Sequence, residues 1–132
     1  MSKNIVSDFS INSLIGDGST FRGELEAVGP FRIDGRFFGK ITSFGKVIVG
    51  KNGLSDGMIV AKTVIVGGTF NGDIFAEDNV AVLKTGKIIG NIYSCSVNME
   101  EGVIFDGECK VLNKDEMKDL SDSKRKEKFL FD

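Results

Sequence analysis

Apolar residues flank a glycine in the same arrangement six times along the chain, in the order apolar, any residue, glycine, any residue, apolar. The central glycines are Gly23, Gly39, Gly57, Gly72, Gly90 and Gly107. Successive glycines lie 16, 18, 15, 18 and 17 residues apart. One copy departs from the pattern, because Ser55 stands where the other copies have an apolar residue. Intervals in so narrow a band indicate an internal repeat, which is the signature of a stacked solenoid.

A second apolar stretch follows each of the first five copies, and its residues alternate with a period of two. These stretches are residues 31–33, 47–49, 64–66, 80–82 and 97–99. Such alternation is typical of a strand with one face in a core and the other in water. A rung of about 17 residues therefore holds two or three short strands, bent at corners that suit glycine and small residues. Successive rungs would pair through their backbones at roughly 4.8 Å.

The pattern therefore predicts an all-β fold, a single parallel β-helix of about six rungs over residues 14–112. Residues 1–13 and 113–132 are expected to be short flexible termini, the latter charged and disordered. No single rung can bury its apolar face alone, so stacking must supply the stability. Because the spacing wanders and the six-residue sub-period of left-handed helices is absent, a right-handed helix is expected.

Composition argues against several classes of function. The 132 residues suggest one domain, and 17 Lys+Arg against 19 Asp+Glu give no basic excess for nucleic acid. Histidine is absent and the two cysteines form no metal-binding motif, so no catalytic residue, metal or cofactor is expected. The sequence shows neither the roughly 20 apolar residues of a membrane-spanning helix nor a signal-peptide pattern, which favours the cytoplasm.

Two stretches resemble catalytic motifs. Residues 45–51 match the start of a phosphate-binding P-loop, but Asn52 stands where Ser or Thr would hold Mg²⁺. The repeat also places Val47 and Val49 on a core strand. The carboxylates of Asp106 and Glu108 flank a repeat glycine on the outer face, where a solvated surface is the ordinary interpretation. The chain is therefore not expected to be an enzyme or to bind a nucleotide.

With the repeat laid out, the sequence resembles the bactofilins, a family of bacterial cytoskeletal proteins. The resemblance rests on IGDGSTFRGEL (residues 15–25), FRIDG (31–35), GTFNGDI (68–74) and EEGVIFDGEC (100–109). It implies a right-handed, roughly triangular β-helix that polymerises without nucleotide into non-polar filaments, joined head to head and tail to tail. It also implies association with the inner membrane through a short N-terminal segment, and a role in cell-wall synthesis or cell shape.

Both ends of such a rod expose core residues and unpaired backbone groups, and the sequence suggests no amphipathic helix as a lid. The predicted polymer interface at the N-terminal end comprises Leu14, Ile15, Phe21 and Leu25. At the C-terminal end it comprises Val103, Phe105, Cys109, Val111 and Leu112. The alternative is that the flanking segments fold back and cap the ends.

One side of the rod carries an apolar column. Val60, Phe75 and Tyr93 fall on consecutive rungs at outward positions, with Met58 beside them. An exposed column of this kind can mark lateral bundling or docking of a partner. Alternatively, it only stabilises the wall through cross-strand stacking. A non-polymerising module that binds a partner through this face is the second functional hypothesis.

The two flanks carry further candidates. Ile5, Val6 and Phe9 could form a weak membrane contact, unless residues 1–13 are only a disordered leader. Residues 113–132 contain no glycine and are dense in charge, yet end in Phe129, Leu130 and Phe131. That triplet is either a docking motif or an unimportant end.

Overall fold

The computed structural model describes residues 3–6 and 13–127, with side chains from Leu14 onward. Eleven strands precede one helix. The strands are β1 (Lys3–Val6), β2 (Ser13–Ile15), β3 (Thr20–Ala27), β4 (Phe31–Ile33), β5 (Arg36–Ser43), β6 (Lys46–Val49), β7 (Leu54–Val66), β8 (Thr69–Val82), β9 (Lys87–Ser94), β10 (Val97–Met99) and β11 (Ile104–Val111). The helix α1 spans Lys114–Lys126.

All strand pairs in the described part of the chain are parallel and fall into two ladders. The long ladder joins β3, β5, β7, β8, β9 and β11 in that order. The short ladder joins β2, β4 and β6, then the second halves of β7 and β8, and finally β10. Each rung contributes to both ladders, so the chain winds as a parallel β-solenoid of about six turns. The predicted parallel β-helix of about six rungs is confirmed.

The repeat glycines lie in register at the middle of the long ladder, each paired with the glycine of the next rung. Gly72 and Gly90 have φ values of 125° and 138°, in the region that L side chains rarely adopt. A Cβ on Gly90 would also overlap the carbonyl oxygen of Gly72. Both the backbone conformation and the close approach of successive rungs therefore require glycine in this row.

The core consists of three inward columns of the long ladder and the alternate residues of the short ladder. Its fully buried members include Phe31, Ile33, Phe37, Ile41, Val47, Val49, Ile59, Phe70, Ile74, Ile88 and Ile92. Ser55 is also buried and pairs in register with Phe37 and Phe70. The serine therefore keeps the inward position.

Two expectations about the flanks are corrected. Residues 3–6 were expected to be flexible, but β1 pairs in parallel with residues 24–27 of β3 and adds a strand to the long ladder. Residues 114–126 were expected to be disordered, but they form α1. The side chain of Asn113 caps this helix by accepting a hydrogen bond from the Glu116 amide at 2.8 Å.

Candidate functional site

The C-terminal end of the rod is an open strand edge. β11 pairs with β9 on one side, and no described strand pairs with its other side. Seven of its eight residues are exposed and the eighth, Phe105, is half-buried. The outer edge of β11 therefore presents backbone N–H and C=O groups that can pair with another chain.

The inward columns of the core are uncovered at this end. Phe105 pairs in register with Ile88 and Cys109 with Ile92, and both isoleucines are fully buried one rung below. Val111 is 62% exposed, although its column is inward-facing in the earlier rungs. Val103 and Phe105 are both partly buried and pack against the core. The structure thus brings together four of the five residues predicted for this end.

Leu112 does not belong to that surface. Instead it packs beneath α1 with Val60, Phe75 and Met117. Its amide donates to the Ser94 carbonyl at 2.9 Å and continues the β11–β9 ladder, and α1 begins two residues later at Lys114. Its placement at the C-terminal joint was wrong because the helix that follows it turns back along the rod.

The N-terminal end is covered to a greater extent. Leu25 is 5% exposed and Ile15 is 9% exposed, so both belong to the closed core. β1 supplies part of the cover, because Asn4 pairs in register with Leu25. Leu14 is exposed, but it stands in an outward column with Arg32 and so faces the side of the rod.

Phe21 keeps a position at the N-terminal end. It is half-buried at the edge of the core and stacks on Phe37 with ring centroids 5.1 Å apart. The first half of β3, residues 20–23, has β5 as its register partner and no described strand on its outer side. An open edge at this end is therefore limited to that half-strand and to the outer sides of β1 and β2.

The apolar column on the side of the rod is covered by α1. Val60, Phe75 and Met117 form one buried cluster, in which Met117 comes from the helix. Met58 and Tyr93 pack against that cluster, and the rings of Phe75 and Tyr93 stack at 4.9 Å. The prediction that this column is exposed was wrong. We call Met58, Val60, Phe75 and Tyr93 together the lateral face.

The last turn of α1 is held by Lys40, which is only 2% exposed. Its ammonium group donates hydrogen bonds to the carbonyls of Lys124, Arg125 and Glu127, the first at 2.6 Å. A cation at the C-terminus of a helix also faces the negative end of the helix dipole. Burial lowers the pKa of Lys40, while the carboxylates of Glu24, Glu127 and Glu26 act in the opposite direction.

Arg125 forms a second anchor. Its guanidinium lies 4.7 Å from the centre of the Phe44 ring and donates to the Ser43 carbonyl at 3.3 Å. One nitrogen lies 4.0 Å from a carboxylate oxygen of Glu77. Nevertheless, Arg125 Nε and the hydroxyl of Ser121 are buried without a hydrogen-bond partner. The helix is therefore anchored in its last turn, but one buried polar atom in that turn and one at Ser121 have no hydrogen-bond partner.

Sequence signals for α1 were present. Asn113 is a favourable N-cap, Asp115 and Glu116 lie in the first turn, and basic residues fill the last turn. The segment has only two apolar residues on its packed side, Met117 and Leu120. Its charge density obscured the short amphipathic pattern.

The structure places part of the P-loop-like stretch in the core. Val47 and Val49 are fully buried in β6, so the P-loop-like stretch includes a core strand. Desolvation raises the pKa of the Cys109 thiol, which disfavours the nucleophilic thiolate. Within the described residues, no cluster of His, Cys, Asp or Glu is placed to hold a metal ion.

Some candidates fall outside what the structure describes. Phe9, Phe129, Leu130 and Phe131 lie outside the described residues, and only the backbone is described for Ile5 and Val6. Among the helices of the described ranges, none has the length and hydropathy needed to cross a membrane.

A parallel solenoid with one open end belongs to a class of rods whose strand edges can continue from one copy to the next. The family model described as "Bactofilin: Polymer-forming cytoskeletal" matches residues 13–110. The chain belongs to the bactofilin family, whose members are structural cytoskeletal proteins that form polymers.

A curated relative agrees with this assignment. The chain is 27% identical over 96 residues to Bactofilin BacP of Myxococcus xanthus. The aligned region covers 73% of this chain and 40% of that relative. The chain therefore spans well under half the length of BacP. No solved structure gives a significant match.

Proposed function

We propose that this bactofilin assembles end to end into non-polar filaments, through tail-to-tail and head-to-head joints and without a nucleotide. The observation that carries the proposal is the open edge of β11, with exposed core columns beside it. A two-fold axis at this end would bring β11 of one copy against β11 of a second copy. The two edges would then pair antiparallel, as identical strands related by such an axis do.

The apolar residues at this end support a stable joint. Burying a large apolar side chain contributes roughly 1.5–3 kcal/mol. Phe105, Val103 and Val111 together would offset a substantial part of the association entropy, which is about 4–15 kcal/mol. Backbone hydrogen bonds along the eight residues of β11 would further stabilise the joint. The tail-to-tail joint is therefore the stronger of the two proposed joints.

The head-to-head joint would use a different surface from the one predicted. Because Ile15 and Leu25 are already buried, the surface left for contact is the outer edge of β1 and β2, with Phe21 beside them. Among the residues whose side chains are described, this surface offers fewer exposed apolar residues than the C-terminal end. We therefore propose that filaments grow from tail-to-tail dimers that join through their heads.

Independence from nucleotide is supported by the core position of the P-loop-like stretch. Val47 and Val49 pack inside β6, so a phosphate could not reach their backbone without unfolding a rung. Polymerisation then rests on the strand edges alone. Assembly in plain buffer without ATP or GTP is the expected behaviour.

We also propose that the filaments scaffold cell-wall or cell-shape machinery on the cytoplasmic side of the inner membrane. The support is the family resemblance together with Ile5, Val6 and Phe9, which are too few to anchor one copy. Repetition along a filament would strengthen such weak contacts by avidity. A reporter fused to residues 1–12 should remain diffuse, whereas the same segment on the full chain should reach the membrane. Membrane binding by the isolated segment would contradict the avidity argument.

The test of end-to-end assembly is Phe105→Arg, examined by sedimentation and negative-stain electron microscopy in plain buffer. A charge in the end face should remove long filaments and leave species no larger than head-to-head dimers. Ile89→Arg is the matched control, because Ile89 pairs with Asp106 one rung below and faces outward. Filaments of normal length in Phe105→Arg would rule out the C-terminal joint described above.

A further inference from the structure

The lateral face and α1 match in length. The helix has 13 residues and is therefore about 20 Å long at 1.5 Å per residue. It runs from Leu112, beyond the last strand, back to Lys40 on β5. Those two positions are separated by four rung spacings, or about 19 Å at 4.8 Å each. The face thus accommodates a helix of between three and four turns lying along the rod.

The recognition groups of the face suit a helix in general. Val60 and Phe75 provide an apolar centre, and Lys40 binds the free carbonyls that end any α-helix. A basic residue in the last turn can pair with the carboxylate of Glu77, as Arg125 does at 4.0 Å. Another can lie over the ring of Phe75, whose centre is 5.3 Å from Lys124 Nζ. None of these contacts depends on residues found only in α1.

The helix of the chain itself fits this face incompletely. Its hydroxyl at Ser121 and its Nε at Arg125 are buried without partners, and each unsatisfied polar atom lowers the stability of docking. Met117 and Leu120 are its two apolar contacts with the cluster. A helix of 13 residues is also marginal once it leaves the rod. A helix without these defects would compete with it.

We propose that the lateral face is a docking groove for an amphipathic helix of a partner protein, and that α1 is a weak intramolecular occupant. The partner helix has three to four turns, apolar residues at the positions of Met117 and Leu120, a small apolar residue at the position of Ser121, and a basic last turn. The proposal does not depend on filament formation. It gives the side of the rod a function separate from its ends.

The cover also has a protective consequence. If α1 left without a replacement, the stacked rings of Phe75 and Tyr93 would join Met58 and Val60 in an exposed apolar patch. Patches of that kind promote non-specific association. The groove therefore opens only when another helix replaces α1. As long as α1 is docked, it excludes ligands that bind the lateral face more weakly than it does.

Release of the helix can be measured independently of any ligand. Cys95 packs against the cluster under α1, so its thiol should react faster when the helix leaves. In a Cys109→Ser background, the double variant Met117→Glu/Leu120→Glu should label at Cys95 at least tenfold faster than the parent. An unchanged rate would overturn the proposal, because the groove must be able to open.

Binding is tested with the full chain and a fluorescent peptide of residues 113–127 that carries Ser121→Ala. Fluorescence anisotropy should show at least tenfold tighter binding to Met117→Glu/Leu120→Glu than to the unmodified chain. The full-length variant Ser121→Ala should bind the peptide more weakly than the unmodified chain, because its own helix then docks more tightly.

A change in the groove completes the test. Phe75→Glu, added to the helix-released variant, should abolish peptide binding. Ile65→Glu is the matched control, because Ile65 is a half-buried residue of the short ladder and should leave binding unchanged. Equal peptide affinity for the released and unmodified chains, or binding that survives Phe75→Glu, would overturn the proposal. Failure of filament assembly in these variants would bear on the end joints and not on the groove.

Discussion

The two ends of the rod are built from the same repeat but finish differently. At the N-terminal end, Ile15 and Leu25 are buried, and β1 covers the second half of β3. At the C-terminal end, β11 has no strand on its outer side among the described residues, and Val111 is 62% exposed. The difference arises because the segment before the repeat adds β1 to the N-terminal end. The segment after the repeat instead packs as α1 on the side of the rod and leaves the C-terminal end open.

A flanking segment that covers the end of the rod therefore acts differently from one that covers its side. A flanking segment can continue the ladder, as β1 does, or pack on its side, as α1 does. Only the first reduces the edge that a second copy could use. The C-terminal segment is ordered and amphipathic, yet it leaves the end of the rod open.

The largest expected effect comes from truncating a phenylalanine of one inward column, either in the middle of the rod or at its open end. Phe70 is fully buried in the middle of the rod, and Phe105 occupies the same column at its open end. Phe70→Ala should lower the free energy of unfolding by about 3–5 kcal/mol. Phe105→Ala should lower it by roughly half as much or less, measured by urea denaturation below the assembly concentration. Equal losses would mean that Phe105 is covered in the monomer.

Removing the N-terminal cover should make the two ends more alike. Deletion of residues 1–6 uncovers Leu25 and the edge of β3. The unfolding free energy should fall by about 1.5–3 kcal/mol, the value of burying one large apolar side chain. Sedimentation should also show a changed strength of head-to-head association, because the deletion removes the β1 edge of the proposed joint and exposes the edge of β3 in its place. If stability and association are both unchanged, β1 does not cover this end.

The side position of α1 can be tested at its far end. Lys40 lies on β5, several rungs away from the open edge, so it contacts the helix only if α1 runs along the rod. Lys40→Met should cost about 1.5–3 kcal/mol, as expected for lost hydrogen bonds to a charged group. Amide exchange in the last turn of α1 should accelerate. Lys46→Met, at an exposed lysine of β6, is the control and should change neither quantity.

The smallest effect is a gain in stability. Ser121→Ala removes a buried hydroxyl that has no partner and should raise the unfolding free energy by about 1 kcal/mol. Ser123→Ala provides the control, because Ser123 is exposed on the same helix and reports only the gain in helix propensity. Similar gains from both substitutions would show that Ser121 is already satisfied.

The repeat and its register could be predicted because every rung repeats the same pattern of glycine and apolar residues. Glycine spacing placed Phe21, Phe37, Phe70 and Phe105 in one inward column, and the strand pairs have that register. The open C-terminal end followed from the same alignment. Even Ser55, the departure from the pattern, keeps its position because its neighbours above and below fix the register.

The flanks could not be predicted by the same means. β1 has four residues and no copy of the repeat glycine, so its pairing with β3 is specified by contact and not by pattern. The docking of α1 depends on Lys40, which is distant in sequence and looks like an ordinary surface lysine. The lateral face was identified by its residues, but whether it was covered depended on a segment whose charge suggested disorder.

The course of α1 also determines where appended sequence would lie. The carbonyl of Glu127 binds Lys40, Lys40 pairs in register with Glu24, and Glu24 pairs with Lys3 of β1. Any polypeptide attached before β1 or after α1 therefore emerges near the same tip of the rod. In a filament of alternating joints, such appendages would gather four at a time around each head-to-head joint. The tail-to-tail joints between them would stay bare, so a fluorescent tag at either terminus would mark every second joint.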